Sequence, residues 1–329
     1  MLSLKKTPGR DLTVLNLTDP QLGTDEWKPG HPNGAILTGT VRELVRRVRP
    51  DLITVSGDLS WAGHDAAYDA LADLLDSFSV PWAPVWGNHD DQGGPEQVES
   101  VVTRYLRRPL CLYERGPREL GNGNYVIRIE EDGRPVTALV MMDSHDRSPF
   151  TDASGKETLA WARLSPEQIA WYREQIRALA ADGCRDSAMI LHIPIYAYRT
   201  AFAAAFRDGL DPKSVSVAQS ADGSVWNEGY RDSFGVLWEE ICSYPAEDHV
   251  FDAIRALGST KYVLAGHDHV NDTVIRYHGV RLVYSLKTGP GCYWDPRLNG
   301  GTVLRITSEG IADVRHEYVD PSPWMPQGS

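Results

Sequence analysis

Cysteine is scarce in this chain of 329 residues: there are four, Cys111, Cys184, Cys242 and Cys292, and no two are close enough for a C-x-x-C pair. That excludes a thiolate zinc knot read from spacing and leaves packed free thiols in a reducing compartment as the plain expectation. Long apolar runs are missing too. No stretch approaches the roughly 18 residues of a membrane-spanning helix, so no membrane partner is expected. The opening MLSLKKTPGRDL carries two lysines but no apolar h-region, so no signal peptide is visible and a cytoplasmic location is expected. Positive charge is in deficit: 33 Lys and Arg against 45 Asp and Glu give a net charge of −12. Such a balance disfavours nucleic-acid partners, which need a basic footprint. A local cation, such as a bound metal, could still hold a phosphate. Repeats and low-complexity linkers are also absent, and only the tail DPSPWMPQGS reads as loose.

What is there is ordinary globular composition, 42% hydrophobic and 24% charged, with length enough for a sizeable core. The stretches 12–19 (LTVLNLTD), 51–58 (DLITVSGD) and 80–90 (VPWAPVWGNHD) read as short buried strands. Between them, 35–50 and 65–78 show helical apolar spacing, the first at Leu37, Val41, Leu44, Val45 and Val48, ending at Pro50. Strand alternating with helix predicts a parallel sheet with crossover helices. Residues 124–145 read as a hairpin turning at Asp132-Gly133, 165–183 as a helix capped by Ser165, and 187–195 as another buried strand. Residues 196–250 lack clear periodicity and are expected to be an irregular functional excursion. Beyond it come a helix, the strand KYVLAG, a hairpin around His278-Gly279 and a closing hairpin over 301–319. The whole, 1–329, is expected to be one domain with its core at about 11–319.

In open α/β sheets, ligands sit at the carboxyl ends of strands. Here five strands end on Asp19 with Gln21 close behind, on Asp58, on Asn88-His89-Asp90, on His192, and on His267 with His269. Each alone has a plain structural reading: a turn or cap aspartate, a tight Gly-Asn turn, a satisfied core histidine. Their joint occurrence at successive strand ends points to a metal site. Carboxylate, amide and imidazole suit hard or borderline divalent ions. Asp58, with two oxygens, could bridge a pair, and a pair of ions can clamp both attacking and leaving oxygens of an in-line displacement.

In this order, DPQ (19–21), GD (57–58), GNHD (87–90), His192 and GHDH (266–269) resemble the motif set of the calcineurin-like metallophosphoesterases. The longer AGHDHVND (265–272) resembles the branch described as purple-acid-phosphatase-like. The resemblance implies an α/β fold, a four-layer α/β/β/α sandwich. It implies two divalent ions (Mn, Fe or Zn), with Asp19 and His269 on the first, Asp58 bridging, and Asn88, His192 and His267 on the second. It also implies that His89 touches the substrate phosphate and protonates the leaving group, oriented by Asp90. Gln21 stands where the family has histidine, and ligates, if it does, through its amide oxygen. The tyrosine position that would make a purple enzyme is not evident in the sequence, so a purple enzyme is not expected.

The implied activity is hydrolysis of phosphate esters by a metal-bridging hydroxide attacking phosphorus in line, with monoesters favoured over diesters. A non-catalytic metal-binding scaffold is the alternative, and Gln21 is the only residue that points to it. The expected substrate is a phosphorylated small molecule or a phosphoprotein. Tyr196 in the excursion, and Lys287 and Tyr293 in the Gly-Pro-rich loop LKTGPGCYWDP (286–296), are the expected substrate contacts. The aromatics of 196–240 have a second reading, as a small core under the excursion. Nothing in the sequence bears on oligomeric state.

Overall fold

The computed structural model describes residues 1–326. Along the chain run β1 (Leu2–Lys5), β2 (Leu12–Leu17), α1 (Pro32–Val48), β3 (Leu52–Ser56), α2 (Asp65–Asp76), β4 (Trp82–Val85), the single turn α3 (Asn88–Asp91) and α4 (Pro95–Tyr105). Then come β5 (Tyr125–Glu131), β6 (Arg134–Met141), β7 (Arg147–Thr151), β8 (Glu157–Trp161), α5 (Pro166–Ala181), β9 (Ser187–Ile190), α6 (Ala197–Ala205) and α7 (Val217–Ala221). The chain closes with α8 (Val250–Leu257), β10 (Thr260–Ala265), β11 (Val274–Tyr277), β12 (Val280–Tyr284), β13 (Gly300–Thr307) and β14 (Gly310–Tyr318).

Two large sheets result. One has seven strands in the order β1-β5-β6-β9-β10-β12-β11, the other five in the order β14-β13-β2-β3-β4. The strand period of two splits the apolar residues of the seven-stranded sheet between two surroundings. Ile127, Leu139, Met141, Ile190 and Leu264 join the cluster that holds Leu17 and Val55 of the other sheet. Their alternates Val126, Val140, Met189 and Val263 pack with Tyr172 and Ile176 of α5 and Phe251 and Ile254 of α8. On the far side, α1 and α2 cover the five-stranded sheet through Leu37, Val41 and Leu44 and through Tyr68 and Leu71. Helix, sheet, sheet, helix is the four-layer α/β/β/α sandwich. No helix among the described residues is long and apolar enough to cross a membrane.

The hairpins turn where the sequence marks them. Asp132 and Gly133, and His278 and Gly279, all have positive φ (50° and 73°, 47° and 85°), the backbone that two-residue turns with a right-handed twist require. Residues 196–250 are mostly irregular, with the two short helices α6 and α7, and add isolated bridges to the sheet edge at Phe234–Val274 and Leu237–Asn271. The aromatics Tyr198, Phe202, Phe206 and Trp226 are buried in the outer cluster with α5 and α8, so they are core. Four elements carried no readable sequence signal. The strand β1 is a half-exposed edge, β7 and β8 bury almost nothing, and α4 follows Gly93-Gly94 with a short apolar stripe.

A polar bolt joins the two sheets beneath their carboxyl ends. The fully buried Asn16 of β2 donates to Ser56 Oγ (3.0 Å) and Ser285 Oγ (2.8 Å), and its carbonyl accepts from Thr54 Oγ1 (2.8 Å). Ser285 follows β12 in the opposite sheet, so one amide spans the interface. Asn16→Ala removes three buried side-chain hydrogen bonds and leaves Ser56 Oγ only its bond to the Leu17 carbonyl; it is expected to cost roughly 1–3 kcal/mol, read from urea unfolding midpoints, and an unchanged midpoint would show that the bolt adds nothing net.

Candidate metal centre

The parallel strands β2, β3 and β4 deliver Asp19, Asp58 and Asn88 from one sheet, and β9 and β10 deliver His192, His267 and His269 from the other. These residues and Gln21 are all buried, and they meet at one place. His192 Nε2 lies 3.1 Å from Asn88 Oδ1, 3.3 Å from Asp58 Oδ1 and 3.9 Å from Asp19 Oδ1. His267 Nδ1 is 3.3 Å from His192 Nε2, and His269 Nε2 is 3.3 Å from Asp19 Oδ1. Gln21 Nε2 donates to Asp58 Oδ2 at 3.0 Å.

The backbone is strained to achieve this. Asp19, Asp58 and His267 adopt positive φ (54°, 48° and 75°), which costs a residue with a Cβ about 1–3 kcal/mol. The glycines of the motifs permit close approach of the two sheets. A Cβ on Gly57 (φ 91°) would fall 2.5 Å from the His192 ring. One on Gly266 would fall against Thr18 and 2.7 Å from Asp19 Oδ2.

Electrostatics show what the pocket accepts. Burial would raise the Asp19 carboxyl, yet His192, His269 and Lys287 hold it well below the usual range. Asp58 is likewise held low, against burial, chiefly by His192. In turn His192 is raised to about 10, despite burial, by Asp58 and Asp19. Burial and the His192 charge push His267 down to about 3. Two buried carboxylates thus draw positive charge into their midst, here by forcing it onto an imidazole. Two buried oxygens at the same place have no hydrogen-bond partner among the described residues, Asp19 Oδ1 and Gln21 Oε1, and His267 turns Nδ1 toward them beside His192 Nε2. Orphaned oxygens beside two carboxylates and three imidazoles fit divalent cations.

Around this centre the structure corrects several expectations. Asp90 does not orient His89. Its carboxylate accepts from the N–H groups of Leu59 (3.1 Å) and Gly87 (2.8 Å) and from the Tyr68 hydroxyl (2.9 Å), so it staples the Gly-Asn turn to the end of β3. Gln92 takes the other role: its Oε1 lies 3.0 Å from His89 Nδ1. His89 itself stands at the mouth, its ring against the edge of Trp61 (4.3 Å between centroids) and its Nε2 3.9 Å from Asp58 Oδ2. Lys287 is no rim residue. It is buried, donates to the Asp19 carbonyl (2.7 Å), and burial lowers it to about 8. Tyr196 gives its N–H to Asp248 at the start of α6, and no hydrogen bond, ion pair or ring contact joins its side chain to the centre.

Tyr293 lies beside the centre as a support. Its carbonyl lies 2.8 Å from His269 Nδ1, its ring stacks on the same imidazole at 4.3 Å, and its hydroxyl donates to Glu239 (2.7 Å). Glu239 was invisible to sequence reading, because its role depends on the excursion folding back. The residues of AGHDHVND that are not histidine fix that fold-back. Asp268 accepts from Cys242 N (3.1 Å), Asn271 from Glu239 N (3.0 Å) and Asp272 from Val236 N (2.6 Å).

A parallel-stranded sandwich with carboxylates and imidazoles converging at its strand ends defines the class of two-metal phosphoesterase folds. The chain belongs to the calcineurin-like phosphoesterase family, whose model matches residues 12–271. It is 25% identical over 273 residues to the Arabidopsis thaliana "Probable inactive purple acid phosphatase 14", covering 75% of this chain and 61% of that one. It is 30% identical over 329 residues to "Phosphatase DCR2" of Saccharomyces cerevisiae, covering 92% of this chain and 52% of that one. The chain therefore spans between half and two-thirds of the length of these curated relatives. A dimetal phosphatase from Danio rerio shares the fold, with a TM-score of 0.52 at 15% identity over 93% of this chain and 98% of that one.

The close approach at Gly57 gives a test with an internal control. Gly63 has a similar φ (81°) but open space around its Cβ direction. In thermal melts with and without Mn²⁺, Gly57→Ala is expected to lose more stability than Gly63→Ala and to lose the Mn²⁺-induced shift, because His192 must move. Equal behaviour of the two variants would count against the packed-ring account.

Proposed function

We propose that the chain is a dinuclear-metal hydrolase of phosphate esters, with monoesters as its preferred class. The observation that carries this reading is the pair of partnerless buried oxygens, Asp19 Oδ1 and Gln21 Oε1, beside two buried carboxylates and the imidazoles of His192, His267 and His269. Asp19, Gln21 and His269 would hold one cation, Asn88, His192 and His267 the other, with Asp58 between them. Two such cations supply positive charge against the phosphate oxygens and lower the pKa of bound water. Mn, Fe and Zn all suit this mixture of donors. The printed name of one curated relative, "Phosphatase DCR2", favours monoesters, while the Arabidopsis relative is named as inactive.

The chain's own residues do the rest. Lys287, bonded to the Asp19 carbonyl, pins the strained backbone of a ligand. Tyr293 and Glu239 fix the plane of the His269 ring. With Nδ1 engaged by Gln92, His89 turns Nε2 toward the pocket mouth, where it is partly exposed. From there it donates a proton to the departing alcohol oxygen and leans on the phosphate. A scaffold would have no use for an imidazole so placed, which favours catalysis over passive metal binding.

His89→Ala should keep its metal, by elemental analysis, and lose rate. General acid help is worth about 10²–10⁴-fold, so the loss should be largest for an alkyl phosphate and smallest for p-nitrophenyl phosphate, whose leaving group needs little protonation. Equal losses on both esters would argue against proton donation. Faster turnover of bis-p-nitrophenyl phosphate than of the monoester would reassign the class to diesters.

A further inference from the structure

The β7–β8 hairpin has no sequence signature and little buried surface, yet it reaches the centre. Its antiparallel register sets Arg147 directly opposite Trp161, and Ala162 N–H donates to the Asp146 carbonyl (3.0 Å) to close that end of the ladder. The cross-strand pair is stacked: the Arg147 guanidinium carbon lies 3.4 Å from the centre of the Trp161 ring. Trp161 in turn meets the ring of His267 at right angles, 4.2 Å between centroids. One indole therefore separates an arginine from a residue of the metal centre.

That arginine is unspent. Its side chain is 41% exposed, and its ion-pair neighbour, Asp146, stands 3.8 Å from Nε, beyond hydrogen-bond reach. No described residue accepts a hydrogen bond from it. The other carboxylates of this corner are engaged elsewhere: Asp143 accepts from the N–H groups of Asn122 (2.7 Å) and His145 (2.9 Å), and Asp91 accepts from Asn122 Nδ2 (3.1 Å). Stacking on an indole restricts the guanidinium plane and leaves its edge donors facing outward, which is how arginine is prepared for a carboxylate or phosphate. In a chain of net charge −12, this exposed guanidinium makes one long ion-pair contact and keeps its hydrogen-bond donors free among the described residues.

We propose that Arg147 selects substrates: it receives a second negative group, carboxylate or phosphate, carried by the leaving-group side of the phosphate ester. This rests on the phosphoesterase reading above. The ester phosphate would lie at the metal centre and the second anion one indole width away, so the preferred class is small phosphate esters that bear two anionic groups. Trp161 is the positioning residue for both ends, holding Arg147 flat and the His267 ring upright.

The test uses the Mn²⁺-loaded full chain and three aryl esters that differ only at the far end of the ring: phenyl phosphate, 4-carboxyphenyl phosphate and 1,4-phenylene bisphosphate. The wild type should show a higher kcat/KM on the charged esters than on phenyl phosphate. Arg147→Met should cut that ratio about tenfold, the size of one charge-assisted contact, and Arg147→Glu should invert it. A larger gain on the carboxylate or on the bisphosphate identifies which anion is the better fit, and either supports the proposal. In parallel, calorimetry compares binding of phenylphosphonate and 4-carboxyphenylphosphonate. A ratio of affinities unchanged by Arg147→Met would overturn the proposal even if every ester is hydrolysed. Absence of ester turnover in the wild type would instead remove the phosphoesterase reading, while the phosphonate pair still reports whether Arg147 binds the second anion.

Discussion

Two buried carboxylates govern this structure. Asp19 and Asp58 sit at the ends of adjacent parallel strands, each almost wholly removed from water. An isolated ionised carboxylate in such surroundings carries a desolvation cost of several kcal/mol, and two together repel. The pocket stays charged only if positive charge enters it. Without a cation, His192 is the group forced to supply it, raised to about 10. With divalent cations bound, the imidazoles would serve as neutral donors and the orphaned oxygens would have partners. The centre is therefore unfavourable as a piece of protein core and favourable as a cation trap.

The rest of the fold keeps that trap from relaxing. Strand ends from two sheets must meet, so Asn16 bolts β2 to the far sheet directly below. The turns that bring these side chains together must be sharp, so Asp19, Asp58 and His267 accept left-handed backbone and glycines precede Asp58 and His267. Asp90 staples one turn and Lys287 another. The excursion closes the far side through Glu239, which accepts from the Tyr293 hydroxyl and is tied to the AGHDHVND loop at Val270 and Asn271. A polar cluster at the end of a buried strand thus has two jobs: its histidines face the centre and its other residues anchor the wall behind them.

Much of this was legible in the sequence because it is written locally. Apolar strands ending on Asp, Asn or His, and turn pairs such as Asp132-Gly133, carry their structure in neighbouring letters. The ligand-type residues were therefore locatable before the sheets were assembled. What could not be read depends on contacts between distant segments. Asp90 sits beside His89 in sequence, yet its carboxylate turns back under β3 and leaves the imidazole to Gln92. Lys287 sits in a loop that looks exposed, but the loop folds under Asp19. Arg147 and Trp161 become a pair only through the register of a hairpin whose strands have no apolar alternation. Short polar strands leave no trace in periodicity, and they are where the mouth of the pocket is built.

The account turns on Asp58 standing between two cations. The most direct measurement is anomalous diffraction from crystals of the wild type and of Asp58→Asn, grown with Mn²⁺. The expected result is two strong peaks in the wild type, one on each side of the Asp58 carboxylate, with Asp19 and His269 nearest one and Asn88, His192 and His267 nearest the other. Both peaks should weaken together in Asp58→Asn. A single peak in the wild type, or two peaks with Asp58 touching only one of them, would contradict the account.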